Sequence, residues 1–140
     1  MNRRDARELA FSLIFEREFN REEPIENFFS NTVEFRETET DEYVKNVFFG
    51  VEENRDEIDK IADKYFENWK RNRISNVTEA IIRLAVYEMM YTDIPSRVSI
   101  NEAIELSKKF DEEKAKNFIN GVLNSVAKEI SGEMKKENEQ

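Results

Sequence analysis

Residues 76–91 read NVTEAIIRLAVYEMMY, and this stretch determines the fold class. Its apolar side chains recur with the period of an α-helix: Val77, Ala80, Ile81, Leu84 and Ala85. Asn76, followed by Glu79, is typical of a helix start. Pro95 restricts the residue before it to an extended conformation, so the helix is predicted to end near Tyr91.

The same helical period recurs on the N-terminal side of this stretch. A first helix is predicted to start at Asp5, which with Glu8 resembles a capping box, and to end near Phe19. Pro24 is well placed to start a short second helix. Residues 31–40 are polar and predict a loop. Apolar stripes then cover positions 43–51 and 58–66, which indicates either one long bent helix or two helices.

Two more helices are predicted on the C-terminal side. Ser99 with Glu102 is a second capping-box pattern, and it starts a helix that reaches Phe110. Apolar positions from 118 to 130 indicate a final helix, whereas the charged tail 134–140 is expected to fray. The fold class is therefore all-α, with six or seven helices and no strand. Only three Gly and two Pro occur in the chain, which disfavours a turn-rich β fold.

Composition restricts the chemistry that the chain can perform. Its 140 residues are typical of one domain, which we take to span residues 1–140. Cysteine and histidine are both absent. Disulfides, Cys or His zinc sites, cysteine nucleophiles and Ser-His-Asp triads are thereby excluded. No Gly-rich phosphate loop is present, so we expect no enzyme, no cofactor and no metal. With no signal peptide and no stretch long enough to span a bilayer, the cytoplasm is the expected location.

Charge is distributed unevenly along the chain. The formal net charge is −9, but residues 22–68 alone carry 15 acidic and five basic side chains. We interpret this acidic block as mainly the solvent-exposed face of helices. Net negative charge disfavours non-specific nucleic-acid binding. A local basic patch on either side of the block is still compatible with that charge.

One such basic patch lies at the N-terminus. Arg3, Arg4 and Arg7 precede or begin a helix, where the helix dipole disfavours cations. They are either a solvated helix start or an arm that contacts phosphates, since Arg presents several donors in a fixed fork.

Structural roles are predicted for several other residues. Trp69 is expected to anchor the core, and Arg83, inside an apolar helix, to pair with a carboxylate. The large side chains from Tyr87 to Tyr91 exceed what one buried face needs, which indicates a docked neighbour in this chain or in a partner. Gly121 inside a helix predicts close approach of another backbone. Asn120 would then hydrogen-bond across that packing.

The ordered set of motifs along the chain resembles the NusB family of transcription antitermination factors. These motifs are Arg3-Arg4-Asp5-Ala6-Arg7-Glu8, Trp69…Arg73-Ile74, Arg83-Leu84-Ala85-Val86-Tyr87-Glu88, Val98-Ser99-Ile100-Asn101-Glu102-Ala103-Ile104-Glu105-Leu106 and Phe118-Ile119-Asn120-Gly121-Val122-Leu123. The resemblance implies two packed helical bundles, at about 1–68 and 69–133. It also implies binding of boxA RNA of nascent ribosomal RNA together with the ribosomal protein NusE, so that RNA polymerase reads through terminators. Ser12, Phe15 and Asn124 stand where the family often has Gln, Tyr and Asp.

These observations yield a set of expected binding residues. For single-stranded RNA they are Arg3, Arg4 and Arg7 on phosphates, Phe15 as a stacking surface, and Lys116 and Asn120 for sequence preference. For NusE they are Tyr87, Glu88 and Asn124, with Glu88 pairing with a basic group of NusE. The alternative function is a helical protein–protein adapter with little RNA affinity of its own. A homodimer is compatible with either function. By resemblance, a similar helical domain also occurs fused to ribosomal RNA cytosine methyltransferases. This chain has no room for their catalytic domain.

Overall fold

The computed structural model of the chain describes residues 1–66 and 73–139, with side chains described through residue 132. Seven α-helices and no strand occur in these residues, which confirms the all-α prediction. The helices are α1 (Arg3–Arg17), α2 (Ile25–Arg36), α3 (Glu42–Glu53), α4 (Arg55–Asp63), α5 (Asn76–Tyr91), α6 (Ser96–Phe110) and α7 (Ala115–Glu139). Trp69 and the expected bundle boundary at 68/69 lie outside the described residues.

Three helix starts differ from the sequence prediction, two of them because another side chain does the capping. Asn2 caps α1 by accepting a hydrogen bond from the backbone N–H of Asp5 at 2.8 Å, so α1 starts two residues earlier than predicted. Ser75, not Asn76, caps α5 through the N–H of Thr78. The capping box at Ser99 is wrong: α6 starts at Ser96, directly after Pro95, and Ser99 is inside the helix.

Three places in the remaining helices differ from the sequence prediction or settle what it leaves open. The predicted loop 31–40 is helical as far as Arg36, because Val33 on the last turns of α2 packs against the core. Glu37 then ends α2 in the left-handed conformation, with φ 52°. The region 43–66 forms two helices that meet at Asn54. The expected fraying tail is helical to Glu139.

The central element is α5, which contacts α1, α3, α4, α6 and α7. A helix in contact with neighbours on all sides has few exposed positions, and twelve of the sixteen residues of α5 are buried. Part of the surplus of large side chains near its end is covered from within the chain: Tyr87 is 9% exposed and Met89 is 7% exposed, whereas Tyr91 at the helix end is 40% exposed. No described helix is both long enough and apolar enough to cross a membrane.

Candidate nucleic-acid interface

Arg3 and Arg4 are exposed on the first turn of α1. The guanidinium of Arg3 lies over the ring of Tyr43, 4.3 Å from its centroid. Arg4 donates to Glu102 of α6 at 3.1 Å, and its side chain is 69% exposed. The hydrogen bond and the charge of Glu102 raise the pKa of Arg4 above its ordinary value. Both guanidinium groups can therefore reach a phosphate from solvent, although each already has a contact within the chain.

Arg7, on the next turn of α1, is buried instead. Its side chain is 5% exposed, and its Nε donates to Glu88 at 3.0 Å. Burial by itself would lower the pKa of Arg7, but its interactions with Tyr43 and with the Glu88 carboxylate raise it above its ordinary value. Arg7 is not available to an RNA phosphate in this structure. The expected three-arginine arm is thus reduced to Arg3 and Arg4.

Glu88 is the acceptor at the centre of a buried polar cluster, which we call the Glu88 cluster: Arg7, Tyr43, Glu88 and Ser99. The carboxylate is fully buried and accepts from Arg7, from the Tyr43 hydroxyl at 2.5 Å and from the Ser99 hydroxyl at 2.8 Å. Burial, then the charge and hydrogen bond of Glu88, raise the pKa of Tyr43 well above its ordinary value, so Tyr43 stays protonated and donates. The cluster joins α1, α3, α5 and α6.

The Glu88 cluster corrects the expected NusE surface. A carboxylate with no exposed surface and three internal donors cannot pair with a basic group on another protein. Tyr87 is also buried, because its ring packs against Gly50 of α3, where an added Cβ would overlap the ring. Of the three residues expected to contact NusE, only Asn124 is exposed.

Asn120 and Asn124 lie one turn apart on the exposed side of α7, with Lys116 a further turn back. The Asn124 side-chain amide donates to the backbone carbonyl of Asn120 at 2.8 Å. These three residues therefore share a surface that a ligand can reach. Gly121 is exposed too, and an added Cβ there would meet nothing within 4 Å. The prediction of tight packing at Gly121 is wrong; the close approach occurs at Gly50.

A cleft of about 310 Å³ separates the start of α1 from α6. Its charged lining residues are Arg4, Arg7, Glu8, Glu102, Glu105, Lys108 and Lys109. Lys109 contacts Glu8 at 2.9 Å, and Lys108 contacts Glu105 at 3.3 Å. Because the cations of this cleft face carboxylates of the same chain, an incoming phosphate has to exchange with those carboxylates.

Phe15 is partly buried, and aromatic rings lie on both sides of it. Its ring is stacked on Phe11, with centroids 6.4 Å apart, and meets Phe19 edge-on at 5.2 Å. Phe11 also contacts Phe110 at the end of α6, at 5.1 Å. Phe15 is thus part of a row of four rings rather than a single stacking surface.

Arg83 confirms its predicted structural role. It is buried on α5, and its Nε donates to Asp59 of α4 at 3.0 Å. Glu18 lies 3.4 Å away and is also paired with Arg55. Burial would raise the pKa of Glu18, but the hydrogen bond and charge of Arg55 outweigh burial and lower it. In the part of the chain that the structure describes, no group of acidic residues is arranged to hold a metal ion.

Some residues of this region escaped sequence reasoning. The sequence pattern places Glu102 in a helix cap and Tyr43 in an apolar stripe, yet they contact Arg4 and Arg3. Phe19 and Phe110 were assigned only as helix-end positions. An acidic residue at the start of a helix and an aromatic residue in a stripe carry no local signal for these contacts.

Solved structures with the same fold define the class of protein. A structure of NusB from T. maritima superposes with a TM-score of 0.80 at 35% identity, covering 92% of each chain. A crystal structure of the antitermination factors NusB and NusE in complex with double-stranded RNA superposes with a TM-score of 0.77 at 29% identity, covering 90% of this chain and 96% of the other. The fold is that of the all-helical antitermination factors.

Sequence comparison gives the family. The NusB family model matches residues 4–128. The transcription antitermination protein NusB of Clostridium botulinum (strain Alaska E43 / Type E3) is 44% identical over 133 residues, covering 91% of this chain and 99% of the relative. NusB of Bacillus subtilis (strain 168) is 42% identical over 134 residues, covering 93% and 98%. The chain belongs to the NusB family.

Proposed function

We propose that this protein is a transcription antitermination factor. It binds boxA-type single-stranded RNA of the ribosomal RNA leader together with the ribosomal protein NusE, and it promotes read-through by RNA polymerase in the cytoplasm. The observation that carries the proposal is the exposed pair Arg3 and Arg4 on the first turn of α1, in a chain of the NusB family. A protein of net charge −9 needs such a local cationic site to hold RNA.

In this proposal, Arg3 and Arg4 contact phosphates, whereas Arg7 holds α1 in place through Glu88. Phe15 lies beside a base, and Lys116 and Asn120 supply sequence preference from α7. NusE contacts the surface around Asn124, which is the exposed member of the residues expected to bind it. The solved complex of NusB with NusE and double-stranded RNA supports joint binding of NusE and RNA, although its RNA is not single-stranded.

The test is the salt dependence of RNA binding. Each phosphate neutralised on a single strand contributes about −0.7 to the slope of log affinity against log salt, so two contacts contribute about −1.4. The variant Arg3→Ala/Arg4→Ala should lose that part of the slope for a boxA-like oligoribonucleotide, with and without NusE. The matched control is Lys45→Ala/Lys60→Ala, which removes two exposed cations from α3 and α4. Equal slopes for the two variants would contradict the proposal.

The alternative function is a protein–protein adapter with little RNA affinity. It is favoured by the internal pairing of Arg4 with Glu102 and of Lys109 with Glu8, which leaves less free charge for phosphates. An adapter would bind NusE but give the same weak RNA binding before and after loss of Arg3 and Arg4. Sedimentation of the same samples would show whether the chain is a homodimer in solution.

A further inference from the structure

Four phenylalanine rings form a continuous row across α1 and the end of α6, which we call the aromatic row: Phe110, Phe11, Phe15 and Phe19. Successive centroids are 5.1, 6.4 and 5.2 Å apart. Phe11 and Phe15 are four residues apart on α1, so their rings share a face of the helix, and Phe19 extends that spacing past the helix end. The row follows Arg3 and Arg7 at the same spacing.

The middle of the aromatic row is anchored, and its two ends are open. Phe11 is 3% exposed and belongs to the core. Phe19 is 62% exposed and Phe110 is 39% exposed. Large exposed aromatic rings that are held by buried neighbours lose little conformational entropy when a flat ligand stacks on them. Each end of the row therefore presents aromatic surface to solvent.

One cation lies beside an end of the row, and two more lie on the same helix as its middle rings. The Lys109 ammonium is 5.4 Å from the centroid of the Phe110 ring, and it also contacts Glu8 on α1. Arg3 and Arg4 lie at the start of the helix that carries Phe11 and Phe15. Aromatic rings with cations next to them are the arrangement by which proteins hold unpaired nucleotides, the rings on bases and the cations on phosphates.

We propose that Phe19 and Phe110 are base-stacking residues, and that the aromatic row is a platform for successive unpaired bases of RNA. This inference rests on the proposed RNA-binding function and extends it beyond Phe15. Stacking uses the π-face that every base has, so the platform adds affinity with little sequence preference. Sequence preference then arises elsewhere, on the polar surface of α7.

The test replaces each ring by an apolar side chain that has no π-face. The variants are Phe19→Leu and Phe110→Leu, and the control is Phe35→Leu, which changes a phenylalanine that is 89% exposed on α2. Affinity for a single-stranded boxA-like oligoribonucleotide should fall about fivefold or more for each of the first two variants. It should not change for the control. The salt slope should stay at the wild-type value in all three, because no phosphate contact is lost.

A direct readout accompanies the affinities. In Phe19→Trp, indole fluorescence should be quenched on addition of the oligoribonucleotide, beyond any change that the wild-type protein with its single Trp shows. Urea denaturation of each variant verifies that it is folded.

The outcomes separate this inference from the proposed function. If the wild-type protein binds no boxA-like RNA, alone or with NusE, both are overturned. If it binds but the Leu variants at positions 19 and 110 match the Phe35→Leu control, only the platform is overturned. If those variants instead weaken binding of NusE and leave RNA affinity unchanged, the row is a protein-docking surface and the inference is likewise overturned.

Discussion

Two arginines of α1, three residues apart, have opposite environments. Arg4 is 69% exposed at its side chain and shares one hydrogen bond with Glu102 at the rim of a cleft. Arg7 is 5% exposed and donates to Glu88, which has no exposed surface. An exposed ion pair exchanges readily with water and salt. In a buried ion pair, loss of one partner leaves the other charge buried without a counter-charge. Arg4 can therefore serve a ligand, and Arg7 serves the fold.

Two of the helical glycines, Gly50 and Gly121, differ in the same way. Gly50 on α3 lies against the ring of Tyr87, and Gly121 on α7 faces open space. The residue type is the same, but only Gly50 is needed for packing. Burial in the fold, rather than residue type, decides whether a position supports the structure or is open to a ligand.

The largest effect is expected for Glu88→Ala. This change removes the acceptor of three buried donors and leaves the Arg7 charge with only the more distant Glu102, 3.6 Å away, which should cost about 3–5 kcal/mol of unfolding free energy. Urea denaturation measures the loss. Glu105→Ala is the control, because Glu105 pairs with Lys108 at the surface and should contribute less than about 1 kcal/mol. Equal stability of the two variants would show that the Glu88 cluster is not needed for the fold.

A smaller loss is expected for Gly50→Ala. The added methyl group would overlap the Tyr87 ring, so the ring or the helix that carries it must shift, at a cost of about 1–3 kcal/mol. The same substitution in a Tyr87→Leu background should cost less, since the ring that it meets is gone. A double-mutant cycle in thermal or urea unfolding measures this coupling. Full additivity of the two changes would contradict the contact.

The opposite sign is expected for Gly121→Ala. Ala is favoured over Gly inside an exposed helix by about 1 kcal/mol, and nothing obstructs the new methyl group. The melting temperature should therefore rise. Gly132→Ala is a control at another open position nearer the end of α7, where helix propensity matters less, so its gain should be smaller. A clear loss of stability in Gly121→Ala would mean that another molecule covers this face of α7.

The smallest effect on stability is expected for Arg4→Ala. An exposed ion pair contributes less than about 1 kcal/mol, so unfolding in urea should be nearly unchanged, whereas Arg7→Ala should be clearly destabilised. The comparison of Arg4 with Arg7 fails if both substitutions destabilise the protein equally.

Strong apolar stripes and isolated charges predicted the structure well. The stripe of α5 predicted both the helix and its end near Tyr91, and Pro95 marked the boundary to α6. The lone cation inside an apolar helix correctly predicted a paired Arg83. The caps were less reliable, because Ser, Asn and Asp occur next to one another and each can accept from a helix N–H. The roles of Glu88 and Gly121 were wrong, because each depends on what lies opposite.

The sequence by itself determined the helices, the all-α class, the exclusion of cysteine and histidine chemistry, and membership of the family. These follow from periodicity and residue type, which act over a few neighbouring positions. Only the tertiary structure decided which arginine is buried, which glycine is packed and which rings are exposed. In the Glu88 cluster, Arg7 is 81 positions from Glu88 in the sequence, and Tyr43 is 45 positions from it. Such contacts arise from the docking of whole helices, and that docking depends on the summed burial of many side chains rather than on any one motif.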